Sequence, residues 1–150
     1  MAVRKNLGEP VMVQKPTIET PPLTLEIEKL MKEKYPDITL ESPIQGWVYL
    51  EDYEKGVANF NTIRVYNRTA KDMRWVAMCY FQVHDDHQAV PCYQTAIYRG
   101  AQEAGIGLAH AYMFTDRVPL AIIELEKINF EKLKPYDKVY FLRIKSYYEE

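Results

Sequence analysis

The sequence predicts an α+β fold, with an antiparallel sheet wrapped around one central helix and an N-terminal arm and short helix ahead of it. Three observations point there. Apolar runs rich in aromatic and β-branched residues recur as five strand candidates. One long segment, 92–112, reads as a helix built around small residues. Polar loops carrying Gly, Pro, Asn and Asp separate these elements.

In chain order, residues 1–22 hold four prolines and no sustained period, so they are expected to form an extended or flexible arm. Residues 23–150 then make one domain, as the length predicts. The segment 24–37 is a helix: Thr24 can cap it, Leu25, Ile27, Leu30 and Met31 give an apolar stripe, and Pro36 ends it. Residues 47–52 are a strand, 53–56 a tight turn closing on Gly56, and 57–66 a partly alternating strand. The run 73–83 is almost continuously apolar, which predicts a central strand covered on both faces. After the polar loop 84–91 and the helix come two more strands, 120–130 and 138–148. Pro135 suits the second position of the turn between them. No internal repeat or low-complexity tract is evident.

The helix 92–112 carries two rows of small residues. Ala96, Gly100 and Ala104 share one spacing of four, and Ala101, Gly105 and Ala109 the other. Each helical glycine costs roughly 0.5–1 kcal/mol relative to alanine. Close approach of a neighbouring element, or room for a ligand, would offset that cost.

Composition narrows the function classes. The protein has 19 basic and 21 acidic residues, interspersed, for a net charge of −2, and no basic stripe suited to nucleic acid. No apolar run approaches the ~18 residues of a membrane span. The first ten residues lack an apolar core, so no secretory signal is expected, and two cysteines, Cys79 and Cys92, are too few for a disulfide framework. A cytoplasmic protein is the expectation. Twelve tyrosines suit interfaces and pockets, and a homodimer or higher homo-oligomer is expected.

Two clusters carry candidate chemistry. Glu103 is the single acid of the helix segment, and burial would raise its pKa toward the range of a general base. The alternative is a surface glutamate paired with Arg99, four residues earlier. His84, Asp85, Asp86 and His87 could form an acid/base pair, or a solvated loop whose acids cap the helix. Their spacing fits no specific metal motif, so no metal is assigned. Trp75, Tyr98 and Tyr112 are candidates for a pocket wall or an aromatic core, and Cys79 for the core.

The run INFEKLKPYDKV (128–139), with the helix ahead of it, resembles the hotdog fold of thioesterases and acyl-carrier dehydratases. Phe130, Leu133, Pro135 and Asp137 fall at the spacing with which that family closes one strand and opens the next. Tyr136 stands where the family usually has glycine, and three strand candidates precede the helix, an order altered from the family's. The resemblance covers about 92–148. It implies hydrolysis of an acyl thioester, acyl-CoA or acyl-carrier phosphopantetheine, with no further cofactor. Glu103 would be general base or nucleophile, with Gln94 placing the thioester. Tyr93, Thr95, Tyr98 and Gly100 would border the acyl carrier, and N–H groups near Tyr93 to Ala96 would polarise the carbonyl. A dehydratase variant would enlist His84 or His87. The alternatives are a non-catalytic acyl-thioester or lipid-binding regulatory module, and a cone-shaped domain of the cystatin or nuclear-transport-factor type.

Overall fold

The computed structural model describes residues 20–149. They form eight α-helices in chain order: α1 Pro22–Lys34, α2 Pro43–Tyr49, α3 Tyr53–Thr62, α4 Ala70–Gln82, α5 Asp86–Tyr98, α6 Ala104–Phe114, α7 Val118–Glu126 and α8 Pro135–Ser146. Two short 3₁₀ turns, Val65–Asn67 and Phe130–Lys132, lie in the connections. Among the described residues there is no strand, so the α+β prediction is overturned and with it the hotdog resemblance, whose sheet has no counterpart here. No helix is long and apolar enough to cross a membrane among the described residues. The expected arm lies largely outside the described residues, and its last residue, Pro22, already begins α1.

Each strand candidate falls in a helix or in a turn between helices: 47–52 ends α2 and enters the turn at Glu51, and 57–66 ends α3 at Thr62 and runs on toward the 3₁₀ turn Val65–Asn67. Residues 47–52 follow Ser42, whose hydroxyl accepts from the Ile44 N–H, and Pro43 in the first turn of α2. The supposed turn 53–56 is the first turn of α3, capped by Asp52 on the Lys55 N–H. The apolar run 73–83 sits in α4 behind a capping box in which Thr69 and Asp72 exchange bonds. Its continuous hydrophobicity comes from being packed by helices on several sides: Trp75, Val76, Ala77, Cys79 and Phe81 are all buried. Residues 120–130 fall mostly in α7 and 138–148 mostly in α8, each with a proline in its first turn (Pro119 and Pro135). Pro135 starts a helix where a strand turn was expected. The predicted helix 92–112 is two helices, α5 and α6, parted at 99–103, where Gly100 has φ +108.

The fold also holds a repeat that the sequence conceals. Three helical hairpins, α2–α3, α4–α5 and α6–α7, are closed by three-residue turns, and the middle residues Glu51, His84 and Asp116 all have left-handed φ, of 59°, 66° and 60°. They stand 33 and 32 residues apart. In each turn the next residue's N–H closes on a carbonyl five residues back: Asp52 on Trp47 at 2.9 Å, Asp85 on Tyr80 at 2.8 Å, Arg117 on Tyr112 at 2.8 Å. A small buried residue follows in the second helix each time (Gly56, Ala89, Ala121), and a large buried one a turn later (Phe60, Tyr93, Leu125). The small residue lets the helices of a hairpin close, and the large residue fills the space beyond.

Consecutive hairpins stack. The first helices α2, α4 and α6 touch in turn, α6 touches α8, and α3, α5 and α7 form the other layer, each against the first helix of the next hairpin. The architecture is a short α-solenoid in which α8 supplies a fourth first-layer helix. Its core runs from Ile27, Met31 and Trp47 between α1 and α2, through Ile44, Phe60 and Val76, to a larger cluster around Tyr93, Ile106, Leu108 and Phe141.

Candidate functional site

Arg74 is the charged residue at the centre of the first layer. It projects from α4, its side chain is 3% exposed, and its Nη2 donates to Asp137 Oδ1 on α8 at 2.5 Å. Asp137 is equally buried. Glu41, in the loop before α2, comes within 3.5 Å of Nη1, and Glu103 within 3.9 Å. Two lysines balance these acids: Lys71 pairs with Glu103 and lies 3.8 Å from Glu41, and Lys134 reaches Glu41 at 2.7 Å. Three carboxylates and three cations therefore lock α4, α8 and three loops into one network.

The network sets its own proton affinities. Burial works to raise the Glu41 carboxyl, but hydrogen bonds from Lys134 and Trp75 and the charges of Lys71 and Arg74 outweigh it and hold the pKa at about 2. Burial raises the Asp137 carboxyl against the pull of Arg74. Burial would lower the Arg74 guanidinium, yet Asp137 keeps it firmly cationic. Removing Arg74 alone would strand Asp137, a loss of about 3–5 kcal/mol for a broken buried pair.

Arg74 also stands in the wall of an open cleft of about 440 Å³ between α4, α6 and α8. Its other walls include Trp75, Met78, His110, Tyr136, Val139 and Tyr140. Arg74 Nη1 is the one buried side-chain polar atom without a hydrogen-bond partner among the described residues. It faces Glu41 and Glu103 at 3.5 and 3.9 Å, so the charge of these two acids compensates it in place of a hydrogen bond. The guanidinium lies 4.6 Å from the centre of the Trp75 ring, which fixes its plane. His110 Nδ1 and the Tyr140 hydroxyl are 3.0 Å apart, and the imidazole stacks on Phe114 at 5.1 Å. Burial, with a smaller push from Arg143, lowers the His110 pKa to about 4, so the ring is neutral at neutral pH. Burial pushes the Tyr136 hydroxyl up to about 12 against the opposing charge of Arg74.

A second depression of about 320 Å³ is lined by Phe81, Gln82, His84, Asp86 and Phe114. It shares Gln82 with the first, so the two meet at the end of α4 beside the α4–α5 turn.

The residues selected from sequence fall differently. Gln94 and Glu103 lie on separate elements: Gln94 is exposed on α5 and donates to the Tyr112 hydroxyl at 3.4 Å, whereas Glu103 precedes α6. Glu103 pairs with Lys71, and Arg99 instead donates to the Arg68 carbonyl at 3.1 Å. Tyr93 is buried in the core against Gly107, and Tyr98 is 90% exposed on the second layer. Thr95 lies half-buried on α5, and exposed Gly100 breaks the helix after it. The helix start proposed at Tyr93 to Ala96 is the last part of α5, so no N–H cradle exists there. His84 and His87 are both exposed near the α4–α5 turn, where Asp85 caps α5; of the two histidines, His84 lines the second depression. The site residues that sequence reading missed are Glu41, Arg74 and Asp137. The available signal was Arg74 itself, a lone charge in the apolar run 73–83 that must find a partner once buried.

Comparison with known proteins returned no match to this protein from family models, curated proteins or solved structures.

Proposed function

We propose that the protein is a binding domain whose first-layer face, formed by α4, α6 and α8, receives an extended polypeptide segment of a partner protein. The observation that carries this is the cleft between α4, α6 and α8 and the depression next to it: two hollows of about 440 and 320 Å³ that share Gln82 at the end of α4. A single compact ligand needs one pocket, whereas an extended polypeptide uses a run of them. Helical solenoids present such surfaces by construction, because stacked hairpins align their first helices. The walls suit the task. Exposed Tyr136, Val139 and Phe114 offer apolar area, and exposed Gln82 and Arg143 offer polar groups. The thioesterase expectation has no support: the helix it required is broken, and Glu103 is held in an ion pair with Lys71.

The test is selection of peptides from a displayed random library against the purified protein. Val139→Glu places a charge in the cleft wall at a position 62% exposed, where it spares the core. Ile123→Glu on α7, 47% exposed, serves as the second-layer control. Enriched peptides should bind Val139→Glu at least about tenfold more weakly and Ile123→Glu unchanged. No enrichment, or binding indifferent to Val139→Glu, overturns the proposal.

A further inference from the structure

Resting on that reading, we infer that the segment a partner lays in the cleft between α4, α6 and α8 carries a carboxylate beside the apolar or aromatic side chain it buries there, and that this carboxylate pairs with Arg143. Arg143 is exposed on α8 and lines the cleft, so an incoming group reaches it without displacing any part of the fold. The lysines around it in the chain are engaged, Lys134 with Glu41, Lys138 with Glu131 and Lys145 with Glu149, whereas Arg143 has no carboxylate partner among the described residues.

The other walls decide the sign of the charge. Arg74 and Asp137 also line the cleft, but they are 2.5 Å apart, cancel each other and are both closed to solvent. His110 is neutral, because burial and the nearby charge of Arg143 lower its pKa to about 4. Arg143 is therefore the one uncompensated charge among the lining residues. Trp75, Met78, Val139 and Tyr140 beside it are apolar or aromatic, and such walls focus the field of a charge on an incoming group. A cationic group would be repelled by Arg143, and the rings that could hold it already face cations: Trp75 lies 4.6 Å from the Arg74 guanidinium, and Tyr140 5.7 Å from that of Arg143. The second hollow has the opposite sign. Asp86 lines it and pairs with no cation among the described residues, so the acid of the segment belongs at the α8 end and not beside the α4–α5 turn.

Three probes separate the cases: phenylpropionate, phenylpropionamide and phenylpropylamine share a ring and a spacer and differ in charge. Each is titrated at low salt into the intact protein while the Trp75 indole, His110 ring and Arg143 side-chain signals are followed by NMR. The carboxylate should bind about threefold more tightly than the amide, as one partly exposed ion pair allows, and the amine should bind most weakly. Arg143→Gln, at an exposed position, should bring carboxylate and amide level. Lys145→Gln makes the same change of charge on α8 but outside the cleft lining, and should keep the preference. Amide or amine binding as tightly as the carboxylate, a preference that survives Arg143→Gln or disappears in Lys145→Gln, or no shift at these signals overturns the inference. Library peptides that bind through Val139 and are indifferent to Arg143→Gln also overturn it, and leave the polypeptide groove standing. The expected probe ranking without peptide enrichment would keep the carboxylate site and remove the polypeptide.

Discussion

Gly107 shows how far one missing methyl reaches. A Cβ there would overlap the ring of Tyr93, which is buried against α6 from the neighbouring hairpin. Gly107→Ala is expected to destabilise by about 1–3 kcal/mol, as overpacking does. Urea unfolding should find a smaller loss in a Tyr93→Leu background, where the ring is gone. The small residues of this region were legible as a sign of close approach, but the approaching body is an aromatic side chain from another helix and not a sheet. Arg74 was legible only in part. Its place in an apolar run says that it is buried, yet its partner Asp137 is 63 residues away and no local pattern reveals it. His110 carries a pH dependence. Burial lowers its pKa from 6.5 to about 4, so as pH falls the unfolded protein takes up the proton first. Its contribution to stability is complete above pH 6.5 and is lost progressively toward pH 4. Glu41, whose pKa falls from 4.5 to about 2 on folding, contributes above pH 4.5 and loses that contribution only below it. Thermal melts should therefore show wild-type stability falling between pH 6.5 and 4.5, and His110→Asn should flatten that fall.

The hairpin turns make the clearest case among the elements. Glu51 is exposed and holds φ 59°, a conformation that costs an L-residue about 1–2 kcal/mol and glycine far less. Glu51→Gly should raise stability by roughly 0.5–1 kcal/mol, measured by urea denaturation with an unchanged m-value. The helix signals were present in the sequence: Ser42–Pro43, Asp52, Thr69 with Asp72, Asp85 and Pro135 are all caps or first-turn residues. They read as strand turns because Pro, Asp and Ser also begin turns, and because Val, Tyr, Trp and Phe between them favour strands in isolation. Tertiary packing overrode that preference. In α4, helices on several sides bury residues all round the axis, which erases the amphipathic period and leaves a run that looks like a central strand. The first helix was legible because α1 lies at one end of the array and keeps a polar outer face.

At the scale of the molecule, the repeat escaped the sequence because its left-handed position is filled by Glu51, His84 and Asp116 in place of glycine, and its aromatic by Trp47, Tyr80 and Tyr112. The residue identities differ while the backbone geometry recurs, so only the fold displays the period. That period explains the site. Stacking hairpins puts α4, α6 and α8 side by side, joins the Arg74 cleft to the depression beyond Gln82, and leaves α3, α5 and α7 as the opposite layer. The most direct test of the account is titration of a selected peptide into isotopically labelled protein, with amide shifts mapped along the sequence. Shifts concentrated at Met78, Gln82, His110, Val139 and Arg143 are the predicted result. Shifts centred on the exposed residues of α3, α5 and α7 would contradict it and place the binding face on the other layer.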